Sequence, residues 1–401
     1  PLNLVVTNVD AASPHNDTLL SVRRLQVNVQ LLPLLKKQVE VDGISLQGAT
    51  VNSNDLIHGM KLNGTLGELF ISSHGVALDP ETAIVNKVLL KDTDLSLCLN
   101  DTAAVDTAAS DTTYWKIILQ DIDLQNVSFA LDMPLDSLSL AASLDNAILR
   151  DGLIDLHKSA YSLQTFRIKN GRVRYDSGKP LAADSLPSGL DPSHIALTDI
   201  GVKLDSLYYG GRNMKAIISQ FVLKERSGVE IVSATGRMVS NDKVLRVPSL
   251  KLETRDSYLE LNAAMDWNAL DFKGEGLMSA RLMADIGKPD VVRFMGRMDE
   301  KFVRQYPSEP LRIRTGIDGD LNKLKLTTLT AELPGALGLF ARGELTHLTD
   351  SLLRGGDITL EAETKDLKFV STLAEGIEIP YERAWKANLR WRALKWARTC
   401  C

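Results

Sequence analysis

From Leu2 to about residue 365, apolar residues recur at every second position, the period of extended strands with one wet face. Leu25, Val27, Val29 and Leu31 are separated by Gln26, Asn28 and Gln30, and Leu95, Leu97 and Leu99 repeat the pattern. Leu135, Leu138 and Leu140 follow it more loosely. A finer motif lies beneath: four apolar residues at spacings two, three, two, with a polar or turn-forming pair inside the long step. It occurs as Leu20, Val22, Leu25, Val27; as Val39, Val41, Ile44, Leu46; and as Tyr161, Leu163, Phe166, Ile168. It returns as Leu245, Val247, Leu250, Leu252 and as Leu324, Leu326, Leu329, Ala331, with looser copies from Leu4, Ile117, Ile195 and Ala216. A three-residue step turns half a strand to the wrong face unless an extra residue is absorbed as a bulge or kink. The copies at Val39, Ile117 and Tyr161 continue through Gly48, Asn126 and Asn170 into further apolar pairs.

Irregular spacing between copies disfavours a β-helix and favours an antiparallel meander. The expected fold is mainly β: an elongated, curved antiparallel sheet forming a groove, with one or two short amphipathic helices. Residues 1–99 read as a first β segment, and 114–375 as a continuing groove. Between them, residues 100–113 are a low-complexity polar stretch that reads as a flexible loop, with Asp-Thr-Ala repeats able to accept O-linked sugar as the alternative. Residues 176–192, holding Pro180, Pro187 and Pro192, read as a second loop.

The clearest helix signal begins at Pro289 and runs to about 306, placing Val291, Met295, Met298 and Phe302 on one stripe. Ordinary packing over an apolar edge explains the stripe, and a gate for a ligand channel is the other reading. A shorter helix is expected from Asp366 to Leu373. After about Glu382 the alternation is expected to fail. Residues 376–401 read as an atypical basic tail, with Trp385, Trp391 and Trp396 among arginines and lysines, the product of a truncation or altered frame.

Composition narrows the functions. Hydrophobic residues make up 44% and charged residues 24%, as in folded proteins, while 5% aromatic content calls for an aliphatic interior. A net charge of −5 supplies no basic field for nucleic acid. Three cysteines, Cys98, Cys400 and Cys401, build neither a disulfide framework nor a zinc site. Six scattered histidines show no metal-ligand spacing and read as solvent-facing loop residues. With no nucleophile elbow, phosphate loop or dinucleotide glycine pattern, the chain reads as a non-enzyme needing no cofactor and no metal. Pro1 in place of an initiator Met reads as a fragment.

Residues 17–52 carry a family pattern: an amphipathic strand, the Leu31-Leu32-Pro33-Leu34-Leu35 turn followed by Lys36 and Lys37, then a strand ending in the step Leu46-Gln47-Gly48-Ala49-Thr50-Val51. This resembles the AsmA superfamily of Gram-negative envelope proteins, and within it the amino-terminal part of the TamB-type translocation and assembly module. A looser likeness covers most of residues 1–375. The resemblance implies a periplasmic body shaped as a folded-over β-sheet, with an inner-membrane anchor before it. It also implies a carboxy-terminal domain meeting an outer-membrane assembly barrel; neither terminal part lies in these residues. It further implies phospholipid transfer between membranes, or assistance to outer-membrane protein assembly.

An apolar trough shelters acyl chains while the head group stays in water. The residues expected to line it are Val39, Val41, Ile44, Leu46, Ile117, Leu119, Ile122, Leu124, Phe166, Ile168, Leu250 and Leu252. Each has the alternative of filling a sealed core. Two other functions stay open: a scaffold holding nascent outer-membrane strands by β-augmentation, and a secreted β-sandwich adhesin.

Overall fold

Long alternating segments with few helix-forming runs produce strands almost throughout. The computed structural model describes residues 2–12, 18–30, 41–53, 59–77, 81–100, 114–178, 189–271, 275–295, 300–366 and 384–392. The chain forms two compact units, taken separately below: Pro1–Pro187 with Asp191–Gly211 and Ala216–Gly228, and Ser188–Leu190 with Arg212–Lys215 and Val229–Cys401.

The first unit contains β1 (Leu2–Ala12), β2 (Thr18–Val29), β3 (Val41–Asn52), β4 (Met60–Ala77) and β5 (Thr82–Leu99). It continues with β6 (Lys116–Met133), β7 (Leu138–Asp155), β8 (Ala160–Leu163), β9 (Thr165–Ser177) and β10 (His194–Gly210). β11 (Asn213–Glu225) carries the unit boundary. β1 to β5 form the expected antiparallel meander. β6 then departs from it, pairing with β5 in parallel, Thr82 opposite Lys116 through to Cys98 opposite Asp132. β5 ends at Leu99, whereas β6 begins at Lys116 beside Thr82, at the opposite end of β5. Residues 101–113 of the connection between them lie outside the described residues. Antiparallel order resumes from β6 to β7, and both β8 and β9 lie between β7 and β10.

The three-residue steps of this unit fall on one line across the sheet. On β1 and β2, Thr7 pairs with Arg24 and Val9 with Val22, leaving Asn8 and Arg23 facing each other without a ladder bridge. Gly48, Gly67, Asp92, Asn126 and Asp145 occupy the same level on the following strands, and Asn170 on β9 continues the line. Each strand therefore inserts one residue at the same height, so its apolar set changes parity while the register to its neighbours is kept. Asn8, Gly48, Asp92, Asn126 and Asn170 have φ between 49° and 61°, as does Asp199 on β10 at 52°. Asn, Asp and Gly are the residues that enter this left-handed region at least cost. At Gly48 a Cβ would also stand 3.1 Å from the Arg23 guanidinium.

The second unit is an antiparallel meander: β12 (Glu230–Ser240), β13 (Val244–Thr254), β14 (Tyr258–Asp266), β15 (Met278–Ile286), β16 (Leu311–Gly319), β17 (Lys323–Leu333), β18 (Leu337–Thr346) and β19 (Gly355–Thr364). Here the long step is a true bulge, with the register shifting between Val247 and Leu250 and between Leu326 and Leu329. β20 (Ala384–Arg392) pairs with β19 over nine residues, so the segment read as an irregular tail contains a strand. Trp385, Ala387, Leu389 and Trp391 in fact alternate with Lys386, Asn388, Arg390 and Arg392, a strand pattern that the density of basic residues obscures.

Among the described residues two short helices, α1 (Lys288–Met295) and α2 (Glu300–Gln305), fall on the expected 289–306 segment, the first beginning one residue before it. Val291 and Phe302 pack on a small sealed cluster of Tyr306, Leu333 and Ala336, which agrees with packing over an apolar edge. Met295, expected on the same stripe, is 64% exposed, and Met298 lies outside the described residues. α1 is fixed by Asp290, which is 1% exposed. Its carboxylate accepts from the Thr254 and Ser257 hydroxyls and from Arg293, whose guanidinium also reaches Asp256 at 2.8 Å. The helix expected over 366–373 and most of the 176–192 loop fall outside the described residues.

Candidate functional site: an apolar face across nine strands

The shared register turns the apolar positions of the first unit into rows. Val6, Leu25, Leu46, Leu69, Leu90, Leu124, Ala147, Ile168 and Val202 are successive cross-strand partners on β1 to β7, β9 and β10. Two residues further along each strand, Leu4, Val27, Ile44, Ile71, Val88, Ile122, Leu149, Phe166 and Leu204 form a second row. Neither row contains a charged or polar side chain. At about 4.8 Å per strand, each extends on the order of 38 Å.

Beyond the kink line the face continues. Val9, Val22, Ala49, Leu66, Thr93, Val127, Leu144, Gly171 and Ile200 make a third row, and Ala11, Leu20, Val51, Gly64, Leu95, Phe129, Ala142, Val173 and Leu197 a fourth. Burial is deepest beside the line, at Val22 (4%), Ala49 (8%) and Thr93 (2%), while Leu20 and Phe129 in the outer row are each 37% exposed. Most other members of the rows are half-buried, with neighbouring strands covering their flanks.

The reverse face is mostly polar. The level between the first row and the kink line reads Thr7, Arg24, Gln47, Glu68, Lys91, Gln125, Asn146 and Lys169. Val5, Phe70, Leu89 and Ile148 interrupt this polarity one level away. Three of its acids are tied to neighbours: Asp121 pairs with Arg150, Asp123 accepts from Asn146 at 3.0 Å, and Asp94 accepts from the Ser128 hydroxyl at 2.5 Å.

Six of the residues selected from sequence, Ile44, Leu46, Ile122, Leu124, Phe166 and Ile168, stand in the two adjacent rows. Leu119 lies between Val85 and Gly152, and Ile117 between Ala83 and Ile154, towards the other end of the same strands. Val41 is described by its backbone alone, opposite Val29, and Val39 lies outside the described residues. Leu250 and Leu252 belong to the second unit, where they begin rows of their own. One runs through Leu261, Leu282, Thr315, Leu329, Ala341 and Leu360, and the other through Leu259, Ala284, Ile313, Ala331, Leu339 and Ala362. Leu69, Ile71, Val88 and Leu90, central in the first unit, escape the sequence reading because Gly64 on β4 and Thr93 on β5 each replace one apolar residue of the two-three-two signature.

Among the described residues no group of three or more His, Cys, Asp or Glu side chains could hold a metal ion, and no helix is long and apolar enough to cross a membrane. Cys98 is half-buried, with its Sγ 3.3 Å from Asn100 Oδ1. His194 departs from the expectation of exposed loop histidines: it starts β10, is 9% exposed, and its Nδ1 lies 2.9 Å from Asp191 Oδ2. That hydrogen bond, then one from the Ser193 N–H, holds the Asp191 carboxyl below its usual pKa. The chain matches no protein-family model and none of the curated proteins with which it was compared.

Proposed function

We propose that the chain is a segment of a lipid-transfer protein of the AsmA and TamB type, whose apolar face shelters phospholipid acyl chains while head groups remain in water. One observation carries the reading: two adjacent uncharged rows cross nine strands without interruption, and most of their members are only half-buried. Each methylene laid on such a surface contributes up to about 0.8 kcal/mol. Successive rows offer nearly equal sites, so a chain held by many methylenes moves from row to row with little net change. On this reading the protein works in the periplasm of a Gram-negative envelope. It is held to the inner membrane by an anchor outside these residues and joined to an outer-membrane assembly barrel by a further domain.

Native mass spectrometry of the purified chain tests this, with co-bound phospholipid expected. A photo-crosslinker at Leu124 should capture lipid, and one at Gln125, on the reverse face, should not. Equal capture from both positions would sink the reading.

A second reading, a scaffold that holds nascent outer-membrane strands by β-augmentation, draws on β1. Among the described residues β1 pairs with β2 alone, and its Leu2 and Leu4 are 52% and 56% exposed, so it offers an apolar strand edge. Capture of an unfolded barrel strand, lost when a proline replaces Val5, would favour it.

A further inference from the structure

The reverse face of β9 carries a feature that lipid transfer leaves unused. Arg167, Lys169, Arg172 and Arg174 alternate along one side of this strand, with the kink at Asn170 and Gly171 absorbed between the second and third. All four are exposed. Lys203 on β10 stands directly opposite Arg167, a like-charge cross-strand pair that costs the sheet stability. Acids close in sequence are already engaged: Asp176 by Arg174 at 2.6 Å, Asp145 by Asn170, and Asp199 by Lys224 at 2.8 Å. Among the described residues Arg167, Lys169, Arg172 and Lys203 have no acidic partner.

The flanking strands keep this row accessible. Opposite the four cations β7 places Ile148, Asn146, Ser143 and Ala141, and β10 places Ala196 opposite Arg174. The short side chains leave two open depressions. One of about 400 Å³ is bordered by Arg172, Arg174, Ala141 and Ala196 with Asp94 at its margin, and one of about 590 Å³ by Arg167, Lys169, Lys203 and Asn146 with Asp199, itself paired with Lys224.

We infer that this row is a docking site for an acidic polypeptide segment in extended conformation, lying along β9 on the face away from the lipid-binding rows. Width decides between occupants. The cations form a line essentially one strand wide, with residues two apart about 6.6 Å from each other, the spacing of alternate side chains on an extended peptide. A planar anionic membrane would instead meet Asp123, two strands away on the same face. Because the site and the apolar rows are on opposite faces, the two functions are separable.

The test uses the whole chain and a fluorescein-labelled dodecapeptide of alternating Glu and Thr, followed by anisotropy. Binding is expected to weaken steeply with salt, to vanish for the matching Gln–Thr peptide, and to fall at least tenfold in the Arg167→Gln/Lys169→Gln/Arg172→Gln variant. A control variant, Lys251→Gln/Lys325→Gln, should bind as the parent does. Because neutralisation relieves the Arg167–Lys203 repulsion, the triple variant should unfold no more easily than the parent, and Lys203→Gln alone should weaken the peptide while raising stability. Unchanged affinity in the triple variant, equal binding of the Gln–Thr peptide, or stronger row-dependent binding to phosphatidylglycerol vesicles than to the acidic peptide would each overturn the inference.

Discussion

Asn126 and Asp92 stand level on adjacent parallel strands, both with left-handed backbones at φ 51° and 49°, and the Asn126 side-chain amide donates to the Asp92 carboxylate at 2.9 Å. This pair is the centre of the kink line that lets the apolar face continue across its change of parity. Asn126→Gly keeps the backbone accessible and loses one exposed hydrogen bond, so its stability should fall by less than about 1 kcal/mol. Asn126→Val sets a β-branched residue at positive φ and should cost about 1–2 kcal/mol more. Urea denaturation of the two variants measures the difference, and equal midpoints would show that the left-handed geometry carries no such cost.

Leu46→Asp and Leu124→Asp should reduce co-purified phospholipid several-fold while the chain stays folded. On a half-exposed face the new carboxylate reaches water, so the loss should be about 1–2 kcal/mol, smaller than for a charge placed in a sealed core. Far-UV circular dichroism and lipid mass spectrometry on the same samples separate the outcomes. Unfolding of both variants would mean that the rows are an interior.

Asp290→Ala removes the acceptor of two hydroxyls and a guanidinium from a site 1% exposed. It should cost about 3 kcal/mol, because Arg293 and the two hydroxyls lose their shared partner inside the fold. Hydrogen exchange should then accelerate in α1 and at the ends of β13 and β15, with little change in β1 to β7.

The Asp191–His194 contact gives a dependence on pH. A carboxyl whose folded pKa is lowered stabilises the fold above its unfolded pKa, and the contribution is lost as pH falls through the lowered folded value. Asp191→Asn should therefore be less stable than the parent near neutrality, and the gap should close on acidification below the ordinary carboxyl range. A gap that persists at the lowest pH would assign it to geometry and not to charge.

The alternation makes the strands legible, and the two-three-two motif marks places where they bend. Of its five strict copies, those at Val39, Leu245 and Leu324 coincide with register shifts, and the one at Leu20 with the unbridged Arg23. The copy at Tyr161 straddles Gln164, which separates β8 from β9. The alignment of these steps into one line is a relation between strands, and no single strand's pattern contains it. The parallel entry of β6 is hidden for a related reason: the alternating residue types on β5 and β6 satisfy either direction of pairing. Strand β20 is masked by the density of its charges, which outweighs its alternation. The cations of β9 look in sequence like any solvated strand face, and only the register that sets Lys203 against Arg167 distinguishes them from one.

Because every strand from β1 to β7 spends one residue at the same height, their lengths are no longer independent. Deleting Asn126 alone would turn Val127, Phe129 and Leu131 to the opposite side while Leu95 and Leu140 kept theirs, opening a seam in the wall. Such a sheet grows or shrinks by whole strands, and its tolerance of single-residue insertion is confined to its turns.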